Sequence, residues 1–367
     1  MAPTSLLAST GVSSASLWSS ARSSACAFPV DHAVRGAPQR PLPMQRRCFR
    51  TVAVRAAPAV AVRPEPAQEF WEQLEPCKMA EDKRIFLEEH RIRGNEVGPS
   101  QRLTITAVAN ILQEAAGNHA VAMWGRSSEG FATDPELQEA GLIFVMTRMQ
   151  IQMYRYPRWG DLMQVETWFQ TAGKLGAQRE WVLRDKLTGE ALGAATSSWV
   201  MINIRTRRPC RMPELVRVKS AFFAREPPRL ALPPAVTRAK LPNIATPAPL
   251  RGHRQVARRT DMDMNGHVNN VAYLAWCLEA VPEHVFSDYH LYQMEIDFKA
   301  ECHAGDVISS QAEQIPPQEA LTHNGAGRNP SCFVHSILRA ETELVRARTT
   351  WSAPIDAPAA KPPKASH

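Results

Sequence analysis

The segment GAATSSWV, Gly193–Val200, has a counterpart in RARTTWSA, Arg346–Ala353, and each ends an extended run with two hydroxyl residues and a tryptophan. A second pair lies upstream of these. RYPRWGDLMQVE, Arg155–Glu166, and FKAECHAGDVISSQ, Phe298–Gln311, both place Gly-Asp at a turn leading into an alternating, strand-like run. Each copy is preceded by a helical candidate. LTITAVANILQEAAGNHAVAMW, Leu103–Trp124, repeats its apolar residues at three- and four-residue steps, with Thr104 or Thr106 available as N-cap. The second helix is expected over Val268–Val281, stopped by Pro282. A helix followed by several antiparallel strands therefore occurs twice. A repeat of about 120 residues is too long for a solenoid unit. It implies two copies of one α+β domain forming a pseudo-dimer within the chain, each with a helix wrapped by sheet.

Working outward, strands are expected over Leu142–Tyr154, Asp161–Gln170 and Ala177–Asn203, the last folded into a hairpin at KLTGE. In the second copy they are expected over Tyr292–Ala300, Asp306–Ile315 and Cys332–Ser352. The Pro-rich stretch 227–249 separates a first domain, 83–226, from a second, 250–353. Residues 58–82 read as a linker carrying a short helix, the loop 316–330 as a polar insertion, and 354–367 as a disordered tail.

Charge is informative once divided. Residues 1–64 contain eight arginines, no lysine and the single acid Asp31, a formal +7 that equals the net charge of the whole chain. The remainder is neutral, so the basic total gives no support to nucleic-acid binding. The Ser- and Arg-rich, acid-poor composition of 1–57 is that of an organelle transit peptide, with processing near VRAAP, Val54–Pro58. No run approaches the ~20 apolar residues of a spanning helix. The seven cysteines show no CxxC pair and are expected as free thiols, with no zinc site.

The stretch DMDMNGHVNN, Asp261–Asn270, admits three readings. Asp261, Asp263, Asn265 and Gly266 fit the start of an EF-hand loop, but its twelfth position, which needs an acid, is Ala272. Asn265 or Asp263 suits the cap of the following helix. The third reading uses the helix N-terminus with Asn265 and His267 to polarise a carbonyl and hold an oxyanion. A base or nucleophile for such a site is available at Glu301 and Cys302, just before the second Gly-Asp turn.

DMDMNGHVNNVAYLAWCLEAVPEHVF, FKAEC, TRMQIQMYRYPRWGDLMQVETW and ANILQEAAGNHA together resemble plant and algal plastid acyl-ACP thioesterases, over roughly Lys83–Ala353. The resemblance implies a tandem (double) hotdog fold and hydrolysis of the thioester of fatty acyl carrier protein (ACP) without metal or organic cofactor. It also implies a plastid-stromal location. By position it gives Asp263, Asn265, His267, Glu301 and Cys302 as the catalytic set. Cys302 is a weak candidate, because an adjacent carboxylate opposes thiolate formation and neighbours in an extended segment point to opposite faces. Glu301 is therefore expected as general base for water, with Asn265, His267 and the helix N-terminus polarising the thioester and Asp263 orienting them.

The first domain has no Asn-Gly-His, so one site per chain is expected. Its small-residue helix around Ala115, Ala116, His119 and Met123 is implied as the wall of the acyl tunnel. An acidic carrier calls for local positive charge. Lys174, Arg179 and Arg184, followed by RTRRPCR with Arg205, Arg207, Arg208 and Arg211, form the candidate docking face. A homodimer is compatible with the sequence. Two rivals remain: a hotdog hydrolase whose carrier is coenzyme A, and an acyl-ACP binding module without turnover.

Overall fold

The computed structural model describes residues 77–80, 84–125, 135–172, 176–224, 228–316 and 330–352. Segment 1–57, most of the linker 58–82, Lys174, most of the loop 316–330 and the tail 354–367 lie outside the described residues.

The first half contains β1 (Lys78–Met79), β2 (Phe86–Arg91), α1 (Ile105–Trp124), α2 (Pro135–Ala140), β3 (Leu142–Met153), β4 (Leu162–Ala172), β5 (Gly176–Asp185), β6 (Ala191–Asn203), β7 (Arg208–Pro209) and α3 (Glu214–Phe223). After a connector carrying α4 (Pro234–Thr237) come β8 (Leu250–Val256), α5 (Asn270–Leu278) and α6 (Glu283–Asp288). The second half closes with β9 (His290–Phe298), β10 (Val307–Ile315), β11 (Ser331–Arg339) and β12 (Thr342–Ser352).

All paired strands are antiparallel and form one sheet, in the order β1-β2-β4-β5-β6-β3-β9-β12-β11-β10-β8, with β7 on β6. The order β2-β4-β5-β6-β3 of the first half is thus read backwards in the second as β9-β12-β11-β10-β8. That is the signature of a pseudo-twofold axis at the β3–β9 seam. The repeat reaches single bonds. Trp199 donates its indole N–H to Ser197 at 2.7 Å, and Trp351 donates to Thr349 at 2.9 Å. At the two Gly-Asp turns the backbone N–H of Arg158 donates to Asp161 at 2.7 Å, and that of His303 to Asp306 at 3.0 Å. The two domains of the sequence reading are a double hotdog.

One face of the sheet packs on α1 and α5. Thr104 caps α1, its hydroxyl accepting from Ala107 N at 3.2 Å, and Val108, Ile111, Leu112 and Ala115 form the buried stripe. Leu112 is fully buried, worth about 2 kcal/mol by area. Its carbonyl also accepts the Trp181 indole N–H at 3.1 Å, which fixes the helix on β5. The cap of α5 is Asn269, whose side chain accepts from Val271 N at 2.9 Å, rather than Asn265 or Asp263. The helix starts at Asn270 rather than Val268, which is held instead in an antiparallel bridge with Met262.

The other face of the seam is polar and buried. Strict alternation in TRMQIQM sends Met149 and Ile151 toward the helices and Arg148, Gln150 and Gln152 the other way. There Arg148 meets Asp297 at 3.0 Å, Gln152 donates to Gln293 at 2.6 Å, and Arg348 donates to Glu295 at 2.8 Å. The connector 228–249 crosses this face as a strap. Trp168 donates to Arg229 O at 2.9 Å, Ala231 N to Glu180 at 2.9 Å, Arg148 to Ala239 O at 2.6 Å, Arg346 to Pro242 O at 2.7 Å and Ala245 N to Glu313 at 2.6 Å. An irregular, Pro-rich segment has no ladder of its own, so side chains of β3, β4, β5, β10 and β12 satisfy its backbone. The expected short helix in the linker is not seen at Lys78–Met79, which pairs with β2 as a strand.

Candidate active site

Two loops of the second half carry the candidate residues Asp263, Asn265, His267, Glu301 and Cys302. The first runs from Asp261 to Val268, ahead of α5. Asp263 braces it from within: one carboxylate oxygen accepts from Asn265 N at 2.9 Å and His267 N at 3.2 Å, and the other accepts from the Asn265 amide at 3.3 Å. Short acidic side chains favour such turns because they can close a ring on the backbone two residues on. Gly266 takes a φ of +77°, left-handed backbone that glycine adopts at no steric cost. The second loop is Ala300–Asp306. Val268 N donates to Cys302 O at 3.3 Å and clips the two loops together, and the rings of His267 and His303 lie edge to face with centroids 6.2 Å apart. His303 stands in FKAECHAGD and was passed over in the sequence reading, where only its two neighbours were singled out.

Glu301 is partly exposed and its carboxylate accepts from Arg207 of the first half at 2.7 Å. Its backbone carbonyl accepts from Arg339 at 3.3 Å, and Arg339 also pairs with Asp306 at 2.7 Å. Cys302 is buried at 1 % exposure, with Sγ 3.8 Å from the His303 carbonyl. Burial first, and then the Asp306 carboxylate beside it, push its thiol up to about 11. A thiol held there is protonated at neutral pH and is a poor nucleophile.

The first half repeats this backbone without its side chains. Gly98 N donates to Arg102 O as Asp263 N does to His267 O, and Gln101 N to Gly98 O as Gly266 N does to Asp263 O. Thr104 N reaches Glu96 O as Asn269 N reaches Asp261 O, and Leu103 N reaches Pro157 O as Val268 N reaches Cys302 O. Even the left-handed residue recurs, at Gln101 with a φ of +59°. In this frame Gly98, Ser100 and Arg102 stand for Asp263, Asn265 and His267, while Tyr156, Pro157 and Arg158 stand for Glu301, Cys302 and His303. GPSQR and DMNGH share no residue, so nothing in the sequence signalled the match.

The other expected residues are dispersed. On α1, Ala115 and His119 are buried, and Ala116 and Met123 half-buried. His119 Nδ1 accepts from the Arg179 guanidinium at 2.9 Å, and the ring stacks on Phe86 with centroids 5.6 Å apart. Burial, and secondarily the Arg179 charge, hold His119 down at about 2, so it is neutral. Arg179 itself is 6 % exposed beneath α1, over the ring of Phe169. This corrects its placement on a docking face, which it cannot reach. Alternation on β5 turned it inward, and a buried arginine is the exception that charge counting misses. Arg184 is likewise committed, to Glu166 at 3.0 Å. Arg205, Arg208 and Arg211 are exposed around the β6–β7 turn, and Arg207 of the same turn reaches Glu301.

Family models for the N-terminal and C-terminal domains of acyl-ACP thioesterases match residues 83–219 and 250–353. The chain is 38 % identical over 289 residues to oleoyl-acyl carrier protein thioesterase 1 of Arabidopsis thaliana, covering 76 % of this chain and 79 % of that one. It is 39 % identical over 296 residues to the oleoyl-acyl carrier protein thioesterase of Coriandrum sativum, covering 76 % and 80 %. The solved 12:0-ACP thioesterase of Umbellularia californica superposes with a TM-score of 0.66 at 30 % identity, over 74 % of this chain and 95 % of that one. The chain belongs to the plant-type acyl-ACP thioesterase family, hydrolases of the thioester between a fatty acyl group and its carrier protein.

Proposed function

We propose that Glu301 is the general base of this hydrolase and that Asn265 and His267, with the N-terminus of α5, polarise the thioester carbonyl. Glu301 takes a proton from water as the water oxygen bonds to the carbonyl carbon. The tetrahedral oxyanion is held by the Asn265 amide and the His267 imidazole. Collapse breaks the carbon–sulfur bond, and the proton held on Glu301 passes to the departing sulfur. The products are a free fatty acid and the thiol of the carrier. Asp263, through its bond to the Asn265 amide, keeps that group aimed. The observation that carries this reading is the clip between Val268 N and Cys302 O, which sets the braced Asn265–His267 turn beside Glu301 while Cys302 lies buried and protonated.

The acyl chain runs along α1 past Ala115, Ala116, His119 and Met123. The carrier docks on the exposed Arg205, Arg208 and Arg211, and the reaction ends fatty-acid elongation in the plastid stroma. The test is free fatty-acid release by the full chain from saturated and monounsaturated acyl-ACPs of graded length, set against the same acyl groups on coenzyme A. Release from ACP substrates, falling with added salt, supports the reading. Equal rates on coenzyme A would make it a hydrolase of the other carrier. Binding of acyl-ACP without release would leave a binding module.

A further inference from the structure

We propose that Arg207, delivered by the first half of the chain, is the positioning residue that holds the Glu301 carboxylate in its working orientation. The proposal rests on Glu301 being the base.

Arg207 and Glu301 are 94 residues apart and come from different halves, yet the guanidinium donates to the carboxylate at 2.7 Å. The delivering turn is built for it. The Asn203 side chain accepts from Arg205 N and Thr206 N at 3.0 Å each, and Arg207 N donates to Asn203 O at 2.7 Å. β7 closes the turn by pairing Arg208 with Asn203 and Pro209 with Ile202. Arg207 takes a φ of +54°, the left-handed residue that closes this tight hairpin. The pseudo-symmetric position gives independent support. Tyr156, which stands where Glu301 does, also reaches across the seam, donating its hydroxyl to Leu291 O of β9 at 2.7 Å. In both copies this position is anchored by the opposite half.

The pair is half exposed, 49 % for Arg207 and 38 % for Glu301, so it contributes little to folding. Its effect is on geometry. A glutamate has three rotatable bonds, and a charged donor on one oxygen selects one arrangement, leaving the other oxygen for water. On this reading Arg205, Arg208 and Arg211, in and after the turn, serve the carrier, and Arg207 serves the reaction.

The two roles separate by experiment. Arg207→Gly deletes the guanidinium and relieves the left-handed backbone, while Arg207→Lys keeps a charge. With acyl-ACP and acyl-CoA of the same chain length, Arg207→Gly is expected to lower kcat about tenfold on both carriers, with KM nearly unchanged. Arg207→Lys should recover part of it. In a Glu301→Gln background, Arg207→Gly should lower the residual turnover no further, since its effect passes through the missing carboxylate. A rise in KM confined to acyl-ACP would make Arg207 a docking residue and overturn the proposal. So would unchanged kinetics, or a full further loss in the Glu301→Gln background. Full turnover by Glu301→Gln would remove the base assignment and this inference with it, whereas an inactive Glu301→Gln beside an unaffected Arg207→Gly removes the inference alone.

Discussion

Arg102 holds in the first half the backbone position that His267 holds in the second: the carbonyl of each accepts the N–H that closes the turn, at 3.0 Å from Gly98 and 2.8 Å from Asp263. The turn is conformationally the same and chemically different. Arg102→Ala is therefore expected to keep turnover within about threefold of the parent, whereas His267→Ala loses about a hundredfold or more. Steady-state hydrolysis of acyl-ACP by the two variants checks this. Comparable losses would mean that the first-half turn also takes part in the chemistry.

Cys302 and Glu301 are neighbours with opposite settings, one buried and protonated, the other at the surface with a charged partner. Cys302→Ala should retain most of kcat, and Glu301→Ala should lose about a hundredfold or more. Rapid-quench mass spectrometry offers a second check. An acyl group trapped on Cys302, together with a folded but inactive Cys302→Ala, would reverse the assignment.

Glu180 lies on β5 under the strap, where burial pushes its carboxyl from the ordinary 4.5 up to about 7, against the pull of bonds from Ala231 N, Thr196 and Gln178. Between those values the native state holds a proton that the unfolded chain has released. Stability from this group is fully present below 4.5 and is lost as pH rises through about 7. Glu180→Gln should flatten that slope and raise stability above pH 7 by up to about 3 kcal/mol. Denaturant unfolding from about pH 5 to about pH 8 reads it directly. An unchanged slope would show that Glu180 ionises in the folded protein as it does in water.

Glu295 pairs with both Arg348 and Arg148 on the buried face of the seam, and Arg348 is only 1 % exposed. Glu295→Leu would strand that guanidinium, at a cost of about 3–5 kcal/mol. Adding Arg348→Met should restore much of the loss. Equilibrium unfolding of the single and double variants tests this, and additive losses would place the interaction elsewhere.

The repeat was legible because tryptophan, hydroxyl pairs and Gly-Asp turns leave a mark in sequence, and α1 was legible because its apolar period is long and Thr104 caps it. β8 escaped notice. Its LRGHRQV is basic and mostly exposed, as suits an edge strand that must not pair further. α3 was missed for want of a capping side chain at Pro213. Asn265, His267, Glu301 and Cys302 stood out as candidates from their own chemistry, and resemblance to a family added Asp263 to them. The bond from Arg207 to Glu301 was not legible, because local pattern carries no information about a contact between halves. Arg179 misled for the opposite reason, since its charge is visible in the sequence and its burial is not.

The strap and the shared sheet make one molecule of what a hotdog pair of identical chains would build from two. In such a pair, every substitution in one turn is mirrored in the other. Encoded separately, the turns are released from that constraint. Gly98–Arg102 keeps the backbone of Asp263–His267 and none of its residues, so a substitution in either turn leaves the other as it is.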